Sequence, residues 1–189
     1  MLSGLALASA AGLNAYVPVL VLGLFVRYTS VVEVPGQWTW LGNGWFLLAL
    51  LALLVLELIT DKIPALDHLN DLVQTLVRPV AGGVVFAGAV QGAEGPPGAA
   101  LTVVAFIAGL VIALVVHIVK AAGRAVVNRS APGVGAPLLS GAEDCCAVVL
   151  TLVALLLPGL VVLFVAAAAA ALAWVVRERR RGLLTTGDS

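Results

Sequence analysis

The chain has 189 residues, of which 62% are hydrophobic and 11% are charged, and its formal net charge is zero. Soluble domains average about a quarter charged residues and under half apolar ones, so this composition excludes an ordinary soluble domain. A balanced charge also argues against a nucleic-acid partner, which needs a basic face. We therefore predict an all-α, polytopic integral membrane protein whose surroundings are the lipid bilayer. Residues 1–176 would form a single transmembrane domain, and 177–189 a short basic cytoplasmic tail.

Six apolar segments follow one another at roughly the 20-residue length that a bilayer requires, although some are shorter. A tryptophan-rich stretch, 28–44, separates the first two segments as an interfacial aromatic belt would. The last apolar run is too long for one span, and Pro158 and Gly159 offer a break. The six predicted spans are 2–26, 45–60, 80–93, 99–119, and two within 145–176.

The basic residues predict the orientation. With six spans, nine of the ten Lys and Arg residues fall on one side of the membrane, and Arg27 alone falls on the other. This bias places both termini in the cytoplasm. Three spans in each half also make an inverted three-plus-three arrangement possible, as in several transporter folds.

The first span contains a polar interruption at mid-membrane depth. Pro18 displaces the backbone carbonyl of the residue four positions earlier, which is Asn14. Such groups are tolerated only where they face protein or water. Gly4, Ala8 and Gly12 form a small-residue face that continues to Tyr16 and predicts close helix packing. Asn14 and Tyr16 are candidate ligand residues, and a structural kink is the equally weighted alternative.

A second polar stretch, 57–79, holds four of the ten acidic residues. Glu57 lies one helical turn before Asp61, and it either anchors the span at the interface or contributes to a site; Lys62 could pair with either carboxylate. The spacing of apolar residues after position 64 predicts an amphipathic helix over 65–78, interfacial or re-entrant. The candidate residues in this stretch are Glu57, Asp61, Lys62, Asp67, His68, Asp71 and Arg78.

Basic and acidic residues recur near the second polar loop, predicted at 120–144. His117, Lys120, Arg124 and Asn128 share one helical face, and Glu143 and Asp144 follow at the mouth of the fifth span. This basic face and the acidic face of the 65–78 helix either neutralise each other or line a polar vestibule, and Glu143 and Asp144 would add carboxylates to either arrangement.

The sequence gives weak signals for metals and none for a cofactor. Asp67, His68 and Asp71 offer ligands on one turn, which is a poor metal signature, so the metal assignment stays open. Cys145 and Cys146 are adjacent, which disfavours a disulfide or a zinc site and predicts buried, apolar thiols.

Three runs of residues resemble a known family. AGLNAYVP in the first span, E-x3-DKIPALDH in the polar stretch and RPVAGG at 78–83 are similar to small bacterial membrane proteins of the domain of unknown function 4126 family. The resemblance covers nearly the whole chain and implies a bacterial inner-membrane location, but no reaction. The positions to which it draws attention are Asn14, Asp61, Lys62, Pro64, Asp67, His68, Arg78, Pro79 and Gly82.

These features favour a membrane transporter or channel for a small ion or solute, with a charged cytoplasmic mouth. Asp67, Asp71 and Glu57 would attract or exchange a cation or proton, while Asn14 coordinates the solute. The first alternative is a non-catalytic scaffold or subunit of a membrane complex. A metal-dependent enzyme acting on a lipid-linked substrate is the weaker alternative. The small-residue faces Gly4/Ala8/Gly12 and Gly83/Ala87 also fit a homo-oligomer.

Overall fold

A computed structural model gives the architecture. It describes residues 2–32, 34, 36–61, 64–94, 98–130, 135–161 and 163, with the side chains of 64–71, 91–94, 125–130 and 135–137 excepted. All regular structure in these ranges is helical, as the sequence predicts. The elements are α1 (Leu2–Leu13), α2 (Tyr16–Tyr28), a 3-10 helix (Gly36–Gly42), α3 (Gly44–Thr60), α4 (Pro64–Glu94), α5 (Ala99–Ser130) and α6 (Gly135–Leu156).

Three helices in the described part of the chain are long and apolar enough to cross a membrane. Their candidate spans are Leu72–Val90 in α4, Ala99–Arg124 in α5 and Leu138–Leu156 in α6. The 3-10 helix and α3, bent by 53° at their junction, make a fourth if they are one span. The shorter helices α1 and α2 are also apolar. These lengths support a membrane protein, while the count of six spans and the inverted arrangement stay predictions.

Helix α1 lies inside the bundle, against α4, α5 and α6. Its small residues make this possible. A Cβ atom on Gly12 would lie 2.6 Å from the Ala113 carbonyl oxygen of α5. On α4, Gly83 faces the Phe106 ring of α5, and Ala87 is fully buried. The close helix packing predicted for these small-residue faces is confirmed, but it occurs within one chain, so these faces no longer argue for a homo-oligomer.

The part of the polar stretch from Pro64 onward and the third predicted span form one helix. Helix α4 runs for 31 residues and passes through Pro79, so 65–78 is the first half of a long helix and not a separate interfacial or re-entrant element. Pro79 removes a single backbone donor. The neighbouring side chain, Arg78, is fully buried, so it faces the bundle and not the bilayer.

The prediction of a second polar loop over 120–144 is wrong. Helix α5 continues to Ser130 and α6 already begins at Gly135. Lys120 and Arg124 are buried and both pair with the buried Glu143, so these charges do not require a loop in water.

The last apolar run begins within α6, which ends at Leu156, two residues before Pro158. This end agrees with the predicted break. Residues 164–189, with the predicted sixth span and basic tail, lie outside the described residues. Cys145 and Cys146 are free, as predicted, but both are exposed on α6, and the prediction that they are buried is wrong.

Candidate functional site

The helical structure is interrupted between α1 and α2 at a fully buried asparagine, Asn14. We call this interruption the helix break. The Asn14 Oδ1 atom accepts hydrogen bonds from the backbone N–H groups of Tyr16 (3.0 Å) and Val17 (3.1 Å). It thus caps the start of α2, whose first N–H groups have no partner within the helix. The Asn14 Nδ2 atom donates to Asp144 Oδ1 of α6 at 2.9 Å. One side chain therefore stabilises the break and ties it to another helix.

On the other side of the break, the end of α1 contacts a lysine side chain. Lys120 of α5 donates from Nζ to the backbone carbonyl oxygen of Leu13, 2.6 Å away. The carbonyl end of a helix carries partial negative charge, so an ammonium group is stabilising there. Lys120 also pairs with Glu143 Oε2 of α6 at 3.0 Å. The two helix ends thus lie inside protein with polar partners, which is the condition for irregular backbone at membrane depth.

Arg124 joins three helices one turn further along α5. Its Nη2 atom lies 2.8 Å from Glu143 Oε2 on α6 and 3.3 Å from Asp61 Oδ2 at the end of α3. Its Nε atom donates to the same Glu143 oxygen at 3.1 Å. Ser140 Oγ completes the group by donating to Asp61 Oδ2 at 3.0 Å. The planar guanidinium suits this role because its donors point in several fixed directions.

A second ion pair connects α3, α4 and α5. Arg78 Nη2 donates to Glu57 Oε1 at 2.9 Å, and its Nη1 atom lies 3.2 Å from His117 Nδ1. Because a guanidinium only donates, His117 Nδ1 accepts this bond, and the imidazole hydrogen sits on Nε2. Nε2 can then donate to Thr75 Oγ1, 3.1 Å away. Arg78, Glu57 and His117 are 0%, 2% and 4% exposed, so these groups are held away from both lipid and water.

The Glu57–Arg78 pair leaves one polar atom of each partner without a hydrogen bond among the described residues. The atoms Glu57 Oε2, Arg78 Nε and Gln74 Oε1 are buried and have no hydrogen-bond partner among the described residues. Gln74 lies one turn before Arg78 on α4, and its side chain lies close to that of Tyr16. Buried polar atoms are normally paired, so three unpaired ones in a single cluster indicate a missing partner.

Most of the predicted site residues meet in one place. We call the following set the polar layer: the Leu13 carbonyl with the side chains of Asn14, Tyr16, Glu57, Asp61, Gln74, Thr75, Arg78, His117, Lys120, Arg124, Ser140, Glu143 and Asp144. Lys120 and Arg124 pair with Asp61 and Glu143, while the acidic side chains of 65–78 lie outside the described residues, so the mutual neutralisation of the two faces stays a prediction. Gln74, Thr75, Ser140 and the Leu13 carbonyl were not predicted as site groups, and no charge or motif marks them. The predicted candidates Lys62, Asp67, His68 and Asp71 have side chains outside the described residues.

Apolar cavities open beside the polar layer. One of about 440 Å³ lies between α2, the 3-10 helix, α3 and α4. Tyr16 and Trp40 bring the polar groups to its otherwise apolar lining, and Leu50 and Val80 lie on its wall. Since Tyr16 also lies close to Gln74, this cavity is near side chains of the polar layer. Among the described residues, no group of three or more His, Cys, Asp or Glu could hold a metal ion.

Long apolar helices around a buried, ion-paired polar layer define a helical membrane protein. The chain belongs to the family described as Domain of unknown function (DUF4126), whose model matches residues 1–178. This confirms the family expected from the sequence. No curated protein and no solved structure matches the chain.

Proposed function

We propose that this protein is a membrane transporter for a small ion or solute, and that the polar layer is the part through which the transported molecule passes. The observation that carries the proposal is the buried break at Asn14. Broken helices place backbone carbonyl and N–H groups at membrane depth, where transporters use them to hold substrates. Here one end meets Lys120, which also forms an ion pair with Glu143, and the other end meets Asn14, which donates a hydrogen bond to the Asp144 carboxylate.

The ion pairs favour a gated carrier over an open pore. Glu57, Asp61, Arg78 and Arg124 are at most 5% exposed, so the polar layer is closed in this conformation. Isolated charges within a membrane cost several kcal/mol, roughly 2.5–3.5 at a helix centre on insertion scales. Pairs shared among helices can exchange partners when the helices move, without leaving a charge uncompensated. The proposed charged cytoplasmic mouth would be completed by Asp67 and Asp71.

Flux through proteoliposomes tests this proposal. Purified protein would be reconstituted with reporters for protons, sodium, potassium, divalent cations and small neutral solutes. We expect flux of at least one class in the wild type. Asp144→Asn and Asp67→Asn would each reduce it at least tenfold, because each removes a carboxylate proposed to lie on the path. Cys145→Ser, at the adjacent exposed position, is the matched control and should keep full flux.

The scaffold alternative makes the opposite prediction. Folded wild-type protein would then give no flux with any reporter, and a partner would co-purify in mild detergent. An enzyme acting on a lipid-linked substrate would instead show magnesium-dependent turnover. No contact of the described side chains favours either alternative over transport.

A further inference from the structure

The buried ion pair of Glu57 and Arg78 uses one of the two bonds that it could make. A carboxylate and a guanidinium commonly pair through two parallel N–H···O bonds. Here Nη2 bonds Oε1 at 2.9 Å, while the atoms beside them, Arg78 Nε and Glu57 Oε2, are buried without a hydrogen-bond partner in the described part of the chain. The second half of the pair is therefore open.

Gln74, one turn before Arg78 on α4, supplies a third unpaired buried atom among the described residues. It is 1% exposed, and its position four residues before Arg78 puts both side chains on one face of α4. Its Oε1 atom is buried and has no hydrogen-bond partner in the described residues. The cluster thus offers one N–H donor and two acceptor oxygens. A buried polar atom without a partner is destabilising, so a molecule that bonds all three atoms is favoured.

We propose that the open side of the Glu57–Arg78 pair, with Gln74, binds one small uncharged molecule that accepts one hydrogen bond and donates two. This inference rests on the transport function proposed above and names its substrate class: water, ammonia and small amides such as urea share this chemistry. The charges select against ions. A cation would meet the Arg78 guanidinium and an anion the Glu57 carboxylate, whereas the pair together is neutral. The enclosed position limits the ligand to a few heavy atoms.

Stopped-flow permeability of proteoliposomes separates the members of this class. Osmotic shrinkage reports water, osmotic reswelling reports urea, and a trapped pH dye reports ammonia, each against protein-free vesicles. We expect raised permeability to at least one of the three and none to potassium or sodium. Gln74→Met removes the Oε1 acceptor together with the amide donors, without changing charge or length greatly. It should lower that permeability about three- to tenfold, the value of one neutral hydrogen bond, while Gln37→Met, at an exposed position of the 3-10 helix, should not change it.

Other results have distinct meanings. Ion flux without neutral flux would overturn this inference and leave the transport function standing. Neutral flux that is unchanged in folded Gln74→Met would place the site elsewhere and also overturn the inference. No flux of any probe from folded wild type would overturn both. The folded state of each variant is checked by its elution profile and thermal unfolding in detergent.

Discussion

Asn14 of the first helix break and Asp144 of α6 are 130 positions apart in sequence and are joined by a 2.9 Å hydrogen bond. The same asparagine caps α2. Helix geometry at the break and the position of α6 are therefore coupled through one side chain. A movement of α6 that breaks this bond would leave an amide and a carboxylate without partners, so the two elements should move together.

The Asn14 side chain should contribute more to stability than an ordinary helix cap. Asn14→Ala removes two bonds to α2 and the donor to Asp144, and we expect it to lower the free energy of unfolding by about 2–4 kcal/mol. Asn43 caps α3 through the same two backbone bonds, but it is exposed, so Asn43→Ala should cost about 1 kcal/mol. Thermal unfolding in detergent compares them. Equal losses would show that the Asp144 bond adds nothing.

The Glu57–Arg78 pair should depend strongly on both partners being present. Arg78→Met leaves a buried carboxylate and should cost about 3–5 kcal/mol. Adding Glu57→Gln to Arg78→Met removes that charge and should recover a large part of the loss. The measurement is a double-mutant cycle on unfolding in detergent. Additive losses would contradict the buried pair.

Arg124 should not be replaceable by lysine. It bonds Glu143 through Nε and Nη2 and reaches Asp61 as well, and an ammonium group cannot reproduce that planar arrangement. We expect Arg124→Lys to cost about 1–2 kcal/mol, within the range for hydrogen bonds to charged groups. Arg27 is exposed and bonds one carbonyl, that of Gly42, so Arg27→Lys should stay within about 0.5 kcal/mol. Similar effects at both positions would mean that Arg124 is not a junction of three helices.

Glycine should matter only where helices approach closely. An Ala side chain at Gly12 would collide with the Ala113 carbonyl and Val116, so Gly12→Ala should destabilise the protein by about 1–3 kcal/mol. Gly123 also lies within a helix, but no atom of a neighbouring residue lies within 4 Å of the place that its Cβ would take. There Gly→Ala should be neutral or stabilise by up to about 1 kcal/mol, because Ala is the better helix former. A loss at Gly123 as large as that at Gly12 would contradict the packing.

The sequence allowed the class of fold and most of the polar layer to be predicted, because intramembrane polar residues are few and have to face protein. It did not allow the helix boundaries around the charges to be predicted. The charges between Lys120 and Asp144 are close together and predict a loop, yet Arg124 finds Asp61 on a helix 63 residues away. Local patterns carry no information about such partners. The same limit explains why Ser140, which carries no charge, was not predicted.

The second difference between the predicted and the observed helix boundaries concerns Pro79. A proline within a polar stretch favours a helix boundary, but α4 continues through it. Arg78 and Gln74 then face inward on the same helix, and their burial against α3 and α5 stabilises a continuous α4 more than the proline disfavours it. Tertiary contacts decided the outcome here, and the sequence pattern reports only local preference.

The central claim is that the transported molecule reaches the helix break, and the accessibility of Ala15 to water tests it most directly. Ala15 lies at the break, is 1% exposed and borders the apolar cavity, which leaves room for a thiol. Ala15→Cys would be made with Cys145 and Cys146 replaced by serine and treated with a small water-soluble thiol reagent in proteoliposomes. Leu53→Cys, on the exposed apolar side of α3, is the lipid-facing control.

We predict that Ala15→Cys reacts at a rate that changes when a permeant solute is added, while Leu53→Cys stays unreactive. Such a result requires that water enters the polar layer in some conformation and that the solute alters its access. Complete protection of Ala15→Cys from both sides of the membrane, in protein that reacts fully once unfolded, would contradict the account. The polar layer would then have only a structural role, holding the helices together without admitting a solute.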